Sequence, residues 1–211
     1  GPTREYIDPV RYISNESSGK QGYEIALALD RLGIKTTLII GPSTLVTQKN
    51  IKTKRIITAS ELFNETKKSL PVDVAVCAAA VSDFKPLVQS KNKLKKDQNI
   101  KSIKIGKNKD VLEYLGKNNK HRPKLVVGFS AETEDVNKNS IIKMKKKNCD
   151  LIIANDVSKK GIGLNSDYNE VSIIDNNGNI KIIKKNKKSY IASKIAEVIL
   201  DKLLVDDRNF N

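Results

Sequence analysis

A run of small and polar residues opens the chain: GPTREYIDPVRYISNESSGKQG spans Gly1 to Gly22, directly before the first strong helical pattern. Ser17, Ser18 and Gly19 would offer small side chains and unpaired backbone N–H groups at that helix start, where the dipole favours a phosphate. Serine is equally suited to capping the helix with its own hydroxyl, and both readings stay open. The segment fits neither the Walker A pattern nor GxGxxG. Lys143 and Lys147 stand one helical turn apart, so both can face one ligand; Lys145 and Lys146 beside them suit a plain solvated face. The lone His121 lies in polar sequence and the two cysteines, Cys77 and Cys149, in apolar sequence. Neither a zinc cluster nor a Ser/His/Asp triad has the residues it needs.

The elements that must position these residues alternate. Tyr23, Ile25, Ala26, Leu29 and Leu32 recur at helical spacing, and Gly33 follows, predicting a helix over Lys20–Leu32. Strands are expected at Thr36–Ile40 and Arg55–Thr58, a helix at Ser60–Ser69, and a strand buried on both faces at Val72–Val81. Residues 82–99 are polar, lysine-rich and aperiodic, which predicts a mobile loop. Ile100–Ile105 reads as a strand, Asp110–Leu115 as a short helix, Leu125–Phe129 as a buried strand, Glu134–Lys147 as a helix and Asp150–Ala154 as a strand. Glu170–Asp175 and Ile180–Lys184 flank the turn Asn176-Asn177-Gly178-Asn179, a hairpin signal, and a last helix runs from Lys188 to Leu204. The expected fold is α/β and Rossmann-like, a mostly parallel sheet with helices on both faces and a C-terminal β-hairpin plus helix. Doubly wound folds set their first glycine-rich loop after strand one; here no strand precedes the loop.

Composition narrows the function classes. A chain of 211 residues suits one domain. It opens on Gly1 and its single methionine is Met144, so the expectation is a piece excised from a longer protein. No apolar run approaches the ~20 residues of a membrane span, and free cysteines suit a reducing compartment. The formal charge of +15 invites a nucleic-acid reading, yet only six of the 39 basic residues are arginine and no aromatic RNA-binding motif accompanies them. Such a lysine surface should still attract phosphorylated small molecules.

GPTRE, IDPVRYISN and SSGK, followed in order by AAAVSDF (78–84), KLKK (93–96), GFSAET (128–133), LIIANDVS (151–158) and GLNSDYNEV (163–171), resemble the phosphopantothenoylcysteine synthetases. The resemblance covers nearly the whole chain. It implies a cytoplasmic, homodimeric ligase that joins 4′-phosphopantothenate to L-cysteine for coenzyme A synthesis. In that family the substrate carboxylate attacks the α-phosphorus of CTP to give an acyl cytidylate and pyrophosphate, and the cysteine amine then displaces CMP. Mg2+ would arrive with the nucleotide, and FMN would belong only to an upstream decarboxylase domain. By motif position, Asn15 and Lys93 would be catalytic; Arg11, Asn15 and Ala80 would bind substrate. Ser17, Ser18, Gly19, Cys77, Ala78, Ala79, Asp83, Lys93, Asp110, Phe129, Lys143 and Lys147 would bind nucleotide. Lys109 stands where the family has proline, which leaves Asp110 as the contact of that segment. Each residue has a plainer alternative: Asn15 a turn residue, Arg11 a surface ion pair, Lys93 a solvated lysine, Phe129 a core residue. Two other classes compete, an NAD(P)-binding oxidoreductase, which lacks its glycine fingerprint, and a basic nucleic-acid-binding module, supported by charge alone.

Overall fold

The structure, a computed structural model, describes residues 1–95, 101–118, 120–159, 161–163 and 166–208, with side chains to residue 204. Strands β1 (Arg4–Tyr6) and β2 (Tyr12–Ser14) form a small antiparallel hairpin ahead of helix α1 (Lys20–Arg31). Strands β3 (Thr37–Ile40) and β4 (Lys52–Arg55) pair in parallel, and α2 (Ala59–Ser69) follows. Strand β4 lies three residues earlier than the expected Arg55–Thr58. The reason is local: Thr58 accepts a hydrogen bond from the Glu61 N–H at 3.1 Å and Glu61 accepts from the Thr58 N–H at 3.3 Å, a capping box that commits Thr58 to the start of α2.

Strand β5 (Val74–Cys77) occupies the middle of the expected Val72–Val81 run. Residues 82–95 are not simply a loop, because β6 (Phe84–Pro86) pairs antiparallel with β7 (Ile105–Lys107). The strand expected at Ile100–Ile105 therefore begins only at its last residue; Lys96 and Ile100 lie outside the described residues, as do Leu164 and Asn165 of the last motif. Helix α3 (Val111–Lys117), strand β8 (Leu125–Glu132), helix α4 (Val136–Lys147) and strand β9 (Leu151–Asp156) continue the alternation. Strands β10 (Tyr168–Asp175) and β11 (Ile180–Lys187) make the hairpin, and α5 (Lys188–Arg208) closes the chain.

The main sheet runs β11-β10-β9-β8-β5. Its β9-β8-β5 part is parallel and its hairpin part antiparallel. Period-two alternation splits the apolar side chains between two helix layers. Val127, Ile153 and Ile173 face α1 and α5, where Ile25, Ile195 and Ile199 meet them. Val126, Ile152 and Ile174 face the other way, onto Leu112, Leu115 and Met144 of α3 and α4. Strands β8 and β9 are thus covered on both faces, with Val126, Val127, Ile152 and Ile153 fully buried. Strand β5 is only half-buried, against the expectation of full cover, because its second edge is unpaired among the described residues.

Candidate functional site

The opening segment is tied to the chain that follows β5. Ala80 donates its N–H to the Gly1 carbonyl at 3.2 Å, and Ser82 donates to Thr3 Oγ1 at 3.1 Å. The Asn15 side-chain amide donates to the Val81 carbonyl at 2.9 Å, while Ser14 Oγ holds the Thr3 carbonyl at 2.7 Å. Asn108 secures the same stretch from the far side, its amide on the Ser82 carbonyl at 2.9 Å and its N–H on the Asp83 carbonyl at 2.8 Å. Residues 78–83, mostly small and outside the named strands, are held open at the carboxyl end of the sheet by side chains from two other segments. Ligands of open α/β sheets bind at that end.

Gly19 caps α1 with φ 76° and no side-chain cap bond. A β-carbon there would lie 2.9 Å from Gly1 Cα, so glycine is required both by the left-handed backbone and by the close approach. The serine hydroxyls fold back instead: Ser17 Oγ accepts from the Gly19 N–H at 3.2 Å and Ser18 Oγ from the Lys20 N–H at 3.4 Å. Deeper in the first turn, the N–H groups of Gln21 and Gly22 lack intrahelical acceptors and remain the donors suited to a phosphate.

A cavity of about 1430 Å3 brings together Gly19, Cys77, Ala78, Ala79, Asp83, Asp110, Phe129, Lys143 and Lys147. Asp110 caps α3, accepting from the Glu113 N–H at 2.8 Å, and its other oxygen pairs with Lys147 at 2.9 Å. Lys147 also pairs with Glu113 at 2.8 Å. Burial alone would lower the Lys147 pKa; the two carboxylates outweigh it and hold the ammonium above its usual value. Lys117 and Lys147 beside Glu113 pull its carboxyl down to about 2. A phosphate entering here meets a charged Lys147 already held by two acids, with Lys143 on the same helix. Burial, with Cys149 and Asp110 nearby, pushes the Cys77 thiol up to about 12, so it contributes shape and backbone rather than a thiolate. Lys109, standing where the resembled family has proline, lies 4.9 Å from the Phe63 ring centroid.

Arg11, Asn15, Ser17, Ser18, Ala80 and Lys93 do not line this cavity. Asn15 and Ala80 join its rim through the bonds to Val81 and Gly1. Arg11 serves a different contact. Its guanidinium binds the buried Asp8 carboxylate and donates to the Leu94 carbonyl at 2.8 Å, while Asp8 accepts the Leu94 N–H at 3.1 Å. Arg11 and the backbone N–H groups of Val10, Arg11 and Leu94 hold the Asp8 carboxyl well below the usual carboxylate range, against the opposing effect of burial. The pair clamps both backbone groups of Leu94, next to the exposed Lys93. Sequence reading passed over Asp8, whose signal was an aspartate three residues before an arginine across a Pro-Val turn. Glu113 was also missed. At the end of β9, the buried Asn155 keeps its Oδ1 without a partner among the described residues. Among the described residues no group of three or more His, Cys, Asp or Glu could hold a metal ion, and no helix is long and apolar enough to cross a membrane.

Comparison with known proteins places the chain in a family. Residues 1–203 match the family described as DNA/pantothenate metabolism flavoprotein C-terminal domain. The coenzyme A biosynthesis bifunctional protein CoaBC of Haemophilus influenzae is 41% identical over 200 residues, 94% of this chain and 50% of that protein. The chain spans about half the length of the curated relatives it matches. Among solved structures, the C-terminal domain of a CoaBC protein superposes with a TM-score of 0.80 at 30% identity, covering 98% of this chain and 93% of that one. A mutant Cab2 in complex with phosphopantothenate-cysteine shares the fold, with a TM-score of 0.74 at 14% identity over 99% of this chain and 86% of that one. On the strength of the match across residues 1–203, this chain belongs to the DNA/pantothenate metabolism flavoprotein C-terminal domain family.

Proposed function

We propose that this chain is a synthetase domain that couples 4′-phosphopantothenate to L-cysteine at the expense of CTP. The observation that carries the reading is the meeting, in one cavity at the carboxyl end of the sheet, of residues 77–79 and Gly19 with Lys143 and Lys147. Small residues admit a nucleotide close to the backbone, and the cations suit its phosphates. In the first step the substrate carboxylate oxygen bonds to the α-phosphorus and the α–β phosphoanhydride breaks, releasing pyrophosphate. Lys93, on the segment gripped by Asp8 and Arg11, supplies positive charge as that leaving group departs. In the second, the cysteine nitrogen bonds to the acyl carbon, loses a proton and expels CMP. Asn15, anchored to Val81 through one amide hydrogen, keeps its second for the carbonyl oxygen of the intermediate. Asp83 and Asp110 bear on the sugar or base, with Phe129 beside them; Arg11 and Ala80 bear on the phosphopantothenate.

The described residues hold no acidic cage, so magnesium would ride on the nucleotide phosphates. Any FMN belongs to a separate decarboxylase domain, residues 1–211 being the synthetase, and the reading extends to a cytoplasmic homodimer. The test incubates the protein with 4′-phosphopantothenate, cysteine, magnesium and either CTP or ATP, and weighs the products. Phosphopantothenoylcysteine with CMP and pyrophosphate is expected from CTP; formation of neither with either nucleotide overturns the assignment.

A further inference from the structure

Glu113 stands between two lysines in different surroundings. Its Oε2 pairs with Lys147 at 2.8 Å, and its Oε1 with Lys117, one helical turn further along α3, at 2.6 Å. Lys147 lines the cavity and its side chain is 15% exposed, whereas Lys117 does not line the cavity and is 53% exposed. Asp110, the second acid on Lys147, is bound differently. Its Oδ1 accepts the Glu113 N–H at 2.8 Å while its Oδ2 meets Lys147 at 2.9 Å, so the backbone of α3 holds this carboxylate in place. Among the described residues the Glu113 carboxylate is held by the two lysine side chains alone.

The two acids are not equally able to give way. The charges of Lys117, Glu113, Lys147 and Asp110 cancel, so an incoming phosphate meets a cation already neutralised and must compete for it. Releasing Asp110 would disturb the cap of α3. Releasing Glu113 leaves it paired with Lys117 at a site where its side chain is 36% exposed. The joint between α3 and α4 has its own fastening: a β-carbon at Gly116 would lie 2.0 Å from the Lys147 carbonyl oxygen, and the Gly116 carbonyl accepts from the Asn148 amide at 2.7 Å and from Arg122 Nε at 3.0 Å. The main chain around Lys147 is set by that contact, and Glu113 reaches only its side chain.

Resting on the nucleotide reading above, we propose that Glu113 is a positioning residue that holds Lys147 as a stand-in for phosphate and falls back on Lys117 when nucleotide arrives. It thereby competes with the ligand and sets how strongly the cavity holds it. Because the contest is between charges, its effect grows with the number of phosphates on the ligand and shrinks with salt. Glu113 is ionised throughout the pH range of an assay, since Lys117 and Lys147 pull its carboxyl down to about 2.

The test titrates the chain, Glu113→Gln, Lys117→Gln and the double variant with CMP, CDP and CTP by calorimetry, without magnesium. Glutamine keeps an acceptor for Lys147 and removes the charge. Glu113→Gln should tighten CTP roughly two- to fivefold, CDP less and CMP least, and added salt should shrink the gain. Lys117→Gln should loosen CTP, because Glu113 then leans on Lys147 alone, and the double variant should match Glu113→Gln. Weaker CTP binding by Glu113→Gln would make Glu113 a support that Lys147 needs, and an equal change for all three nucleotides would mean altered packing. Either result overturns the proposal, as does unchanged affinity in a chain that binds CTP. A chain that binds none of the three overturns the nucleotide reading, and this proposal with it.

Discussion

At the scale of single residues, the roles proposed for Asn15 and Lys93 fall on different chemical steps and can be tested apart. In the proposed scheme Asn15→Asp replaces a donor amide with a negative charge beside the developing oxyanion, so activation should persist while discharge by cysteine fails. Rapid quench with labelled CTP should find bound acyl cytidylate accumulating in the variant; normal discharge would make Asn15 structural. Lys93→Gln keeps hydrogen bonding but removes the charge and should slow pyrophosphate release. Asp8 and Arg11 together hold the backbone of Leu94, so in the proposed scheme Asp8 bears on that step only through the position of the neighbouring Lys93. Asp8→Asn should therefore slow pyrophosphate release as well, and the double variant should be no slower than Lys93→Gln alone, the non-additive pattern of two groups on one path. Additive losses would detach Asp8 from Lys93. The sequence made Arg11 a ligand candidate and left Asp8 unnoticed, because the local Asp8–Arg11 spacing does not reveal that the pair closes on the distant backbone of Leu94.

At the scale of elements, stability resides in two places. Ile153 is fully buried in the layer under α1 and α5, and Ile153→Ala should cost about 2–5 kcal/mol. Thr58 begins α2, and Thr58→Ala should cost about 1 kcal/mol. Urea unfolding checks both; a larger loss at Thr58 than at Ile153 would contradict the placement of the core. The helices and the inner strands were legible because hydrophobic period reports burial, and the β10–β11 hairpin because Asn177-Gly178 marks its turn. The β1–β2 and β6–β7 pairs were not. Each strand has three residues, too few for a period, and their pairing is decided by contacts distant in sequence. The candidate residues were legible in the same uneven way: motif order named residues 77–79, which line the cavity, but only the fold shows that Lys147 is shared between Asp110 and Glu113.

At the scale of the molecule, charge sets the pH range. Glu113 is held at about 2, and Asp175 is held at about 2 because Lys202 and Asn179 overcome its burial. A carboxylate depressed in the folded state stabilises it above the unfolded pKa and loses that contribution as pH falls through the folded value. The melting temperature should therefore be level near neutrality and fall as pH drops from about 4.5 towards 2; a melting temperature unchanged across that interval would mean these ion pairs do not differ between folded and unfolded chains. The way the opening segment is fastened has a mechanical consequence. Residues 1–15 are fastened by backbone hydrogen bonds of Arg4 with Ile57, Ser90 with Ile7 and Ala80 with Gly1 and by side-chain bonds, whereas α5 at the other end packs against the buried sheet. Stretched between its two ends in an optical trap, the molecule should yield first at residues 1–15, in a small low-force extension, before the sheet gives way in one larger step. Tension would then pull Asn15 from Val81 and Arg11 from Leu94 while the fold still stands.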